Sequence, residues 1–178
     1  MHEPTPKRES KKTADPATVL GSSFRLLPPA HRCVLQGGQD ARAAGAKSWK
    51  PGFPTLPCRA IADGQSASLW MGPDEFLLIS PNEISLAASL GGIPHSLVDV
   101  SHRQLGFELV GPNCTALLSG GCPLDLDLKS FPVGMCTRTV FAKVDIVLWR
   151  KADDVFHVEV WRSFLDYTTQ LLAELARS

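Results

Sequence analysis

The chain has 178 residues, of which 44% are hydrophobic and 20% are charged. This composition predicts a folded globular protein, either one domain or two small ones sharing a core, and excludes wholesale disorder. Lysine and arginine number 18, and aspartate and glutamate also number 18. This balance argues against a general nucleic-acid binder, which normally carries a basic excess.

The N-terminal residues differ in charge from the rest of the chain. Residues 1–50 hold nine basic and four acidic residues, whereas residues 51–178 hold nine basic and fourteen acidic ones. Residues 1–20 are mostly polar and include three prolines, so we expect a flexible basic arm ahead of one domain at 21–178. Such an arm either stays solvated or docks on an acidic surface of the body or of a partner.

The location of the protein is also indicated by composition. No apolar run reaches the roughly 18 residues of a transmembrane helix, and the N-terminus lacks the apolar core of a secretory signal. The five cysteines form no CxxC pair and are interpreted as reduced thiols. We therefore expect a cytoplasmic protein without membrane contact.

Predicted strands make up most of the regular structure. Residues 37–57 are rich in glycine, proline and alanine, which predicts a long irregular connection able to wrap a partner. Period-two alternation predicts that 97–101 and 104–110 form a pair of strands. In chain order the predicted strands are 59–63, 66–71, 75–80, 97–101, 104–110, 137–143, 146–150 and 155–160.

Three helices are predicted between these strands. Ser80, followed by Pro81 and Glu83, has the pattern of a capping box and predicts a helix that runs to about Leu90. A second helix is expected from Pro112 to the glycines at 120 and 121, and a final one over 163–176.

A weak internal repeat favours a particular fold class. Residues 69–76 align with 148–156, and in both copies a strand ending in Leu-Trp is followed by an acidic turn and another strand. Two β-β-α units, at about 58–96 and 97–178, predict an α+β fold with mostly antiparallel sheets and helices on one face.

Standard catalytic and cofactor signatures are missing. The sequence has no GxGxxG, Walker A or GxSxG motif, which signals no nucleotide cradle and no nucleophile elbow. The five histidines are scattered without metal-ligand spacing. We therefore predict no catalytic, cofactor-binding or metal-binding residue in this chain.

Two polar clusters are candidate catalytic sites. Asp99, Ser101 and His102 could form a triad with Arg103 beside it, but neighbouring strand residues face opposite ways. A structural pair or a partner interface is therefore the favoured interpretation for this cluster. In the run 124–128, two acids alternate with leucines. If they are buried, these acids could act as general bases. Otherwise they form the solvent-exposed face of a short strand.

Two Trp-Arg pairs are the main candidates for partner contact. Trp149-Arg150 and Trp161-Arg162 combine the residue types most favoured at interface hot spots. Tryptophan also fills protein cores, so both interpretations remain open for each one. Our predicted interface comprises Trp149, Arg150, Trp161 and Arg162, with Asp99, Ser101, His102 and Arg103 second.

Several of these segments resemble a known family. The run 98–112 (VDVSHRQLGFELVGP) resembles a motif of the aminomethyltransferase superfamily, which includes the T-protein of glycine cleavage. The runs 121–127 (GCPLDLD), 131–139 (FPVGMCTRT) and 158–164 (VEVWRSF) are similar to gamma subunits of heterotetrameric sarcosine oxidases. The resemblance covers about residues 58–175 and implies the fold of the N-terminal part of the T-protein.

The resemblance also implies a role in an assembly. In that family, alpha, beta, gamma and delta subunits form an enzyme that oxidatively demethylates sarcosine. Its products are glycine, hydrogen peroxide and either formaldehyde or methylenetetrahydrofolate. FAD, FMN, NAD, tetrahydrofolate and zinc belong to the other subunits, and the gamma subunit packs chiefly against alpha and carries no cofactor.

One acid has a counterpart in the T-protein. By position, Asp125 matches the catalytic acid of an Asn-Asp pair, but Leu124 replaces the asparagine. We therefore interpret Asp125 as vestigial. Two alternatives to the accessory role remain: a stand-alone folate or one-carbon binding module, and a subunit of a related N-methyl amino acid dehydrogenase.

Overall fold

A computed structural model describes residues 18, 19 and 22–177, with side chains from 22 onward. The predicted basic arm at 1–20 lies almost entirely outside the described residues. The strands are β1 Thr18–Val19, β2 Ser22–Leu26, β3 His31–Gln36, β4 Ala60–Asp63, β5 Ser66–Gly72, β6 Glu75–Ser80, β7 Ser96–Asp99, β8 Gln104–Val110, β9 Cys136–Phe141, β10 Val144–Ala152 and β11 Val155–Trp161. The helices are α1 Gln39–Gly45, α2 Ala87–Leu90, α3 Cys114–Ser119, a 3-10 turn at Arg162–Phe164, and α4 Leu165–Leu175.

The strands form two antiparallel sheets. The first has six strands in the order β1-β2-β8-β11-β10-β9, and the second has five in the order β4-β5-β6-β3-β7. Every pairing between these strands is antiparallel. The hairpins β5–β6 and β10–β11 both shift register near their turns, between Trp70 and Gly72 and between Arg150 and Ala152. The predicted α+β class with mostly antiparallel sheets is confirmed.

Helices and sheets stack in four layers. Helices α3 and α4 cover the outer face of the six-stranded sheet around Phe107, Phe156 and Leu172. Helices α1 and α2 cover the outer face of the five-stranded sheet around Leu35 and Phe76. The inner faces of the two sheets meet through a third apolar cluster, which comprises Ala67, Leu69, Leu77, Ile79, Val100, Cys136, Val147 and Trp149.

Alternation along β11 explains how one strand serves two layers. Phe156, Val158 and Val160 point to the helices, whereas His157 and Glu159 point to the other sheet. Both faces of this strand are buried, so its polar residues lie between sheets rather than in water.

One predicted strand pairing and the extent of one predicted helix are wrong. The strands predicted at 97–101 and 104–110 exist, but β7 pairs with β3 and β8 pairs with β2 and β11, in different sheets. The predicted helix from Ser80 shrinks to the single turn of α2. Ser80 Oγ accepts a bond from the Asn82 N–H, and the chain then runs irregularly so that Ile84 and Leu86 enter the core.

The connection predicted at 37–57 is more ordered than its composition indicates. Helix α1 buries Ala41 and Ala44 against the five-stranded sheet. Beyond it, Trp49 Nε1 donates to Ser68 Oγ at 2.5 Å, and the Phe53 ring packs against a core phenylalanine of β6. Much of this segment therefore covers its own sheet.

Candidate functional site

A buried ion pair joins the two sheets at their centre. Arg32 on β3 binds Glu159 on β11 through two bonds, Nε to Oε2 at 2.6 Å and Nη2 to Oε1 at 3.0 Å. His157 Nε2 lies 2.8 Å from the same Oε1. Arg32 is 2% exposed and Glu159 1%, so this pair is shielded from solvent.

The charge state of Glu159 follows from its partners. Burial alone would raise the pKa of this carboxyl, but the bonds from His157 and Arg32 outweigh burial and hold the pKa below its ordinary value. Gly106 on the adjacent strand makes room for the pair, because a Cβ there would lie 2.7 Å from Glu159 Oε1 and 2.8 Å from Arg32 Nη2.

Two open cavities flank this ion pair between the sheets. One, of about 530 Å³, is lined by Glu159, Val98, Arg103, Gln104 and Trp161, among others. The second cavity, of about 370 Å³, lies toward the other end of the sheets. It is lined by Arg25, Arg32, Glu108, Trp149, Lys151 and His157, among others.

Glu108 is the acidic centre of the second cavity. Its carboxylate accepts from Lys151 Nζ at 2.7 Å and pairs with Arg25. Burial would raise the pKa of Glu108, but these two cations outweigh it and lower the pKa. Both cations are therefore committed to a carboxylate of the same chain.

The structure places the predicted pair Trp149 and Arg150 inside the fold, on opposite faces of β10. The Trp149 ring lies 5.6 Å from the His157 ring in the inter-sheet layer. Arg150, 2% exposed, lies in the helix layer, where Nη1 donates to the Phe131 carbonyl at 2.6 Å and Nη2 to Thr115 Oγ1 at 3.0 Å. The hydrogen-bond partners of Arg150 thus belong to this chain.

The second predicted pair lies at the surface and is joined by another predicted residue. Trp161 is 46% exposed. The Arg103 guanidinium stands 5.4 Å from the centre of its ring. Arg162 Nε donates to the His102 carbonyl at 3.1 Å. The structure therefore brings Arg103, Trp161 and Arg162 together, with the backbone of His102 as support.

Asp99, Ser101 and His102 do not form a triad in this conformation. Ser101 Oγ accepts the backbone N–H of Arg32 at 2.8 Å, and Asp99 Oδ1 accepts the backbone N–H of Ser101 at 2.7 Å. The bonds from Ser101 lower the pKa of Asp99. These side chains close the turn between β7 and β8, which supports the structural interpretation given to this cluster.

Asp125 lies in an exposed loop rather than in a strand. Its carboxylate accepts Ser130 Oγ at 2.6 Å and the backbone N–H of Asp127 at 3.0 Å, and these bonds lower its pKa. Of the alternating leucines, Leu126 is buried beneath α3 and α4. The general-base interpretation required a buried carboxylate, whereas the Asp125 side chain is exposed.

Sequence reasoning missed the Arg32–Glu159 pair. Alternation along β11 places Glu159 on the opposite face from its apolar neighbours, but it does not show that a second sheet covers that face. Arg32 lies in a strand that was not predicted, 127 positions away from Glu159. Within residues 22–177 no group of three or more His, Cys, Asp or Glu side chains could hold a metal ion. No described helix is long and apolar enough to cross a membrane.

Comparison with known proteins identifies the family. The model for the sarcosine oxidase, gamma subunit family matches residues 51–177. The chain belongs to this family. It is 35% identical over 143 residues to sarcosine oxidase subunit gamma of Arthrobacter sp, across 77% of this chain and 70% of that protein. It is 34% identical over 113 residues to the same subunit of Corynebacterium sp. (strain P-1), across 61% of this chain and 56% of that protein.

Solved structures agree with this membership. The chain is similar to one chain of heterotetrameric sarcosine oxidase from Corynebacterium sp. U-96 in complex with pyrrole 2-carboxylate, at 26% identity and a TM-score of 0.83. That match covers 90% of this chain and 86% of the other. Aminomethyltransferase T of the Bartonella henselae glycine cleavage system shares the fold, at 11% identity and a TM-score of 0.63, over 87% of this chain and 46% of its own. The predicted resemblance in sequence and fold is confirmed.

Proposed function

We propose that this gamma-family chain is an accessory subunit of a heterotetrameric sarcosine oxidase, with alpha, beta and delta subunits as its partners and alpha as the main one. The observation that carries the proposal is the similarity to a chain of a heterotetrameric sarcosine oxidase over 90% of this protein. The whole four-layer fold, rather than one motif, is shared with a chain from such an assembly.

In the proposed assembly the chemistry belongs to the other subunits. The complex oxidatively demethylates sarcosine to glycine, hydrogen peroxide and formaldehyde or methylenetetrahydrofolate in the cytoplasm. Its FAD, FMN, NAD, tetrahydrofolate and zinc are held by the partners. This division is supported by the polar groups described above, since Ser101, Asp125 and Glu159 are all engaged in bonds that hold turns and sheets.

The proposal is tested by isolating the chain with its natural partners. A tagged copy expressed in its native cells should co-elute with larger chains and with a flavin absorption band at about 450 nm. A colourless eluate of this chain alone would contradict the proposal. Because flavin could also arrive on a contaminant, the masses of the co-eluting chains and their fixed stoichiometry must accompany the spectrum.

A second preparation separates assembly from chemistry. When the alpha, beta and delta subunits are produced without this chain, we expect a lower yield of intact complex. We also expect the three-subunit complex that does form to match the full complex in turnover per bound flavin. Loss of turnover in an otherwise stable three-subunit complex would show a direct role in catalysis and would overturn the accessory assignment.

A further inference from the structure

Exposed aromatic residues are confined to one place on the described surface. Of the aromatic side chains in residues 22–177, the large exposed ones are Trp161, Phe164 and Tyr167, at 46%, 41% and 41% exposure. They follow one another from the end of β11 through the 3-10 turn into α4, three residues apart. The Trp161 and Phe164 ring centres are 6.5 Å apart. Such clustering on a surface marks a contact site more often than chance exposure does.

Two arginines complete this surface. Arg103 lies against the Trp161 ring, and the Arg162 backbone N–H donates to the Arg103 carbonyl at 2.7 Å while its side chain holds the His102 carbonyl. Within the described part of the chain, neither guanidinium forms an ion pair with a carboxylate. The nearby Asp99 is instead bound to the backbone of its own turn. Both cations are therefore available to an external acid.

We propose that this aromatic–arginine patch, formed by Arg103, Trp161, Arg162, Phe164 and Tyr167, receives the partner subunit through a segment that carries an acidic residue beside an apolar one. This inference rests on the proposed function and adds the docking surface and the chemistry of its occupant. The planar guanidinium binds a carboxylate through two parallel bonds. The few residues that dominate the binding energy of protein interfaces are enriched in tryptophan, tyrosine and arginine.

The cavity beside the patch extends the same contact. Trp161 and Arg103 line the 530 Å³ cavity, and Gln104 lines it as well. The side-chain oxygen of Gln104 is buried and has no hydrogen-bond partner among the described residues. A backbone N–H of the partner segment, inserted at this end of the sheets, would supply the missing donor.

The test measures binding of the purified full-length chain to a complex of the other subunits prepared without it. Trp161→Ala should weaken binding roughly 30-fold or more, the change expected for a hot-spot residue. Arg103→Glu combined with Arg162→Glu should weaken it further, because the partner acid would then face like charge. Leu128→Ala, at an apolar position that is 45% exposed, and Lys129→Glu combined with Lys143→Glu serve as matched controls and should bind like the wild type. Circular dichroism melts exclude any variant that has lost its fold.

Salt dependence separates the charged contact from the apolar one. Wild-type affinity should fall as salt rises, whereas the affinity of the double glutamate variant should rise with salt, because salt screens the repulsion between like charges. If the patch variants bind the other subunits as tightly as the wild type does, the proposed docking surface is wrong but the accessory role still stands. A wild type that binds no partner would overturn both. A homodimer that is lost on Trp161→Ala would assign the patch to a second copy instead.

Discussion

Replacing Arg32 by methionine should destabilise the protein severely. Methionine keeps most of the apolar length of arginine but leaves the Glu159 carboxylate buried with only His157 beside it. The side chains of the pair are 3% and 0% exposed, and removing one partner of a fully buried pair costs about 3–5 kcal/mol. That loss is a large part of the roughly 5–15 kcal/mol that stabilises a typical domain.

Urea unfolding at neutral pH measures this loss directly. The matched control is Arg138→Met, which breaks the ion pair with Glu75 at the surface, where the side chains are 52% and 26% exposed. That change should cost only about 0–1 kcal/mol. An Arg32→Met loss no larger than that of the control would refute the view that the central pair holds the sheets together.

The pH dependence gives an independent check of the same reasoning. The folded-state pKa of Glu159 lies below the ordinary glutamate value of 4.5, so its contribution is present above that value and is lost as pH falls through the folded pKa. In Arg32→Met the Glu159 carboxyl keeps His157 but loses the arginine that also helps to hold its pKa low. The stability gap between wild type and variant should therefore narrow below about pH 4.5. Arg32→Met combined with Glu159→Met should recover most of the loss at pH 7, because no buried carboxylate remains.

Other variants and reagents test further features. Gly106→Ala should lower stability by about 1–3 kcal/mol in a thermal melt, because its Cβ would crowd the central ion pair. Gly72→Ala, whose Cβ would have its nearest neighbour at 3.6 Å, should change stability much less. Asp125→Asn should leave turnover of the assembled enzyme unchanged. It should lower the melting temperature at pH 7, and the effect should shrink as pH falls below the ordinary aspartate pKa of 3.8, because hydroxyl and backbone N–H bonds lower the pKa of this carboxyl. Burial raises the pKa of Cys136 to about 12, so iodoacetamide at pH 8 should label the half-buried Cys58 and leave Cys136 unmodified by mass spectrometry of peptides.

Local alternation predicted most strands of the second half of the chain and of the hairpin at 66–80. These strands combine period-two apolar residues with sharp turns, which are features of neighbouring residues. The strand β3 was not predicted because the polar residues His31, Arg32 and Gln36 obscure its apolar alternation. The side chains of Arg32 and Gln36 point to the inner layer, where the Arg32 charge is balanced by Glu159 of the other sheet.

Some residues of the candidate site could likewise be predicted from the sequence, and others could not. Trp161 and Arg162 could be chosen from residue type alone, and the structure leaves both at the surface. Arg150 has the same residue type as Arg162, yet a phenylalanine carbonyl and a threonine hydroxyl hold it inside the fold. The capping pattern at Ser80 forms a tight turn instead of a helix, because Ile84 and Leu86 after it pack in the core. Such outcomes depend on tertiary contacts that no short window contains.

The order of strands within the sheets has a consequence for how the chain folds. β2 and β3 come early in the chain, yet β2 pairs with β8 and β3 lies between β6 and β7. During synthesis both early strands must wait until residues near 80–110 are available, so their contacts close long loops. A topology with such distant pairings folds on the slow, millisecond-to-second scale. Each sheet incorporates one of these early strands, so neither sheet is complete until much of the chain has been made. We also expect the protein to unfold in a single cooperative transition.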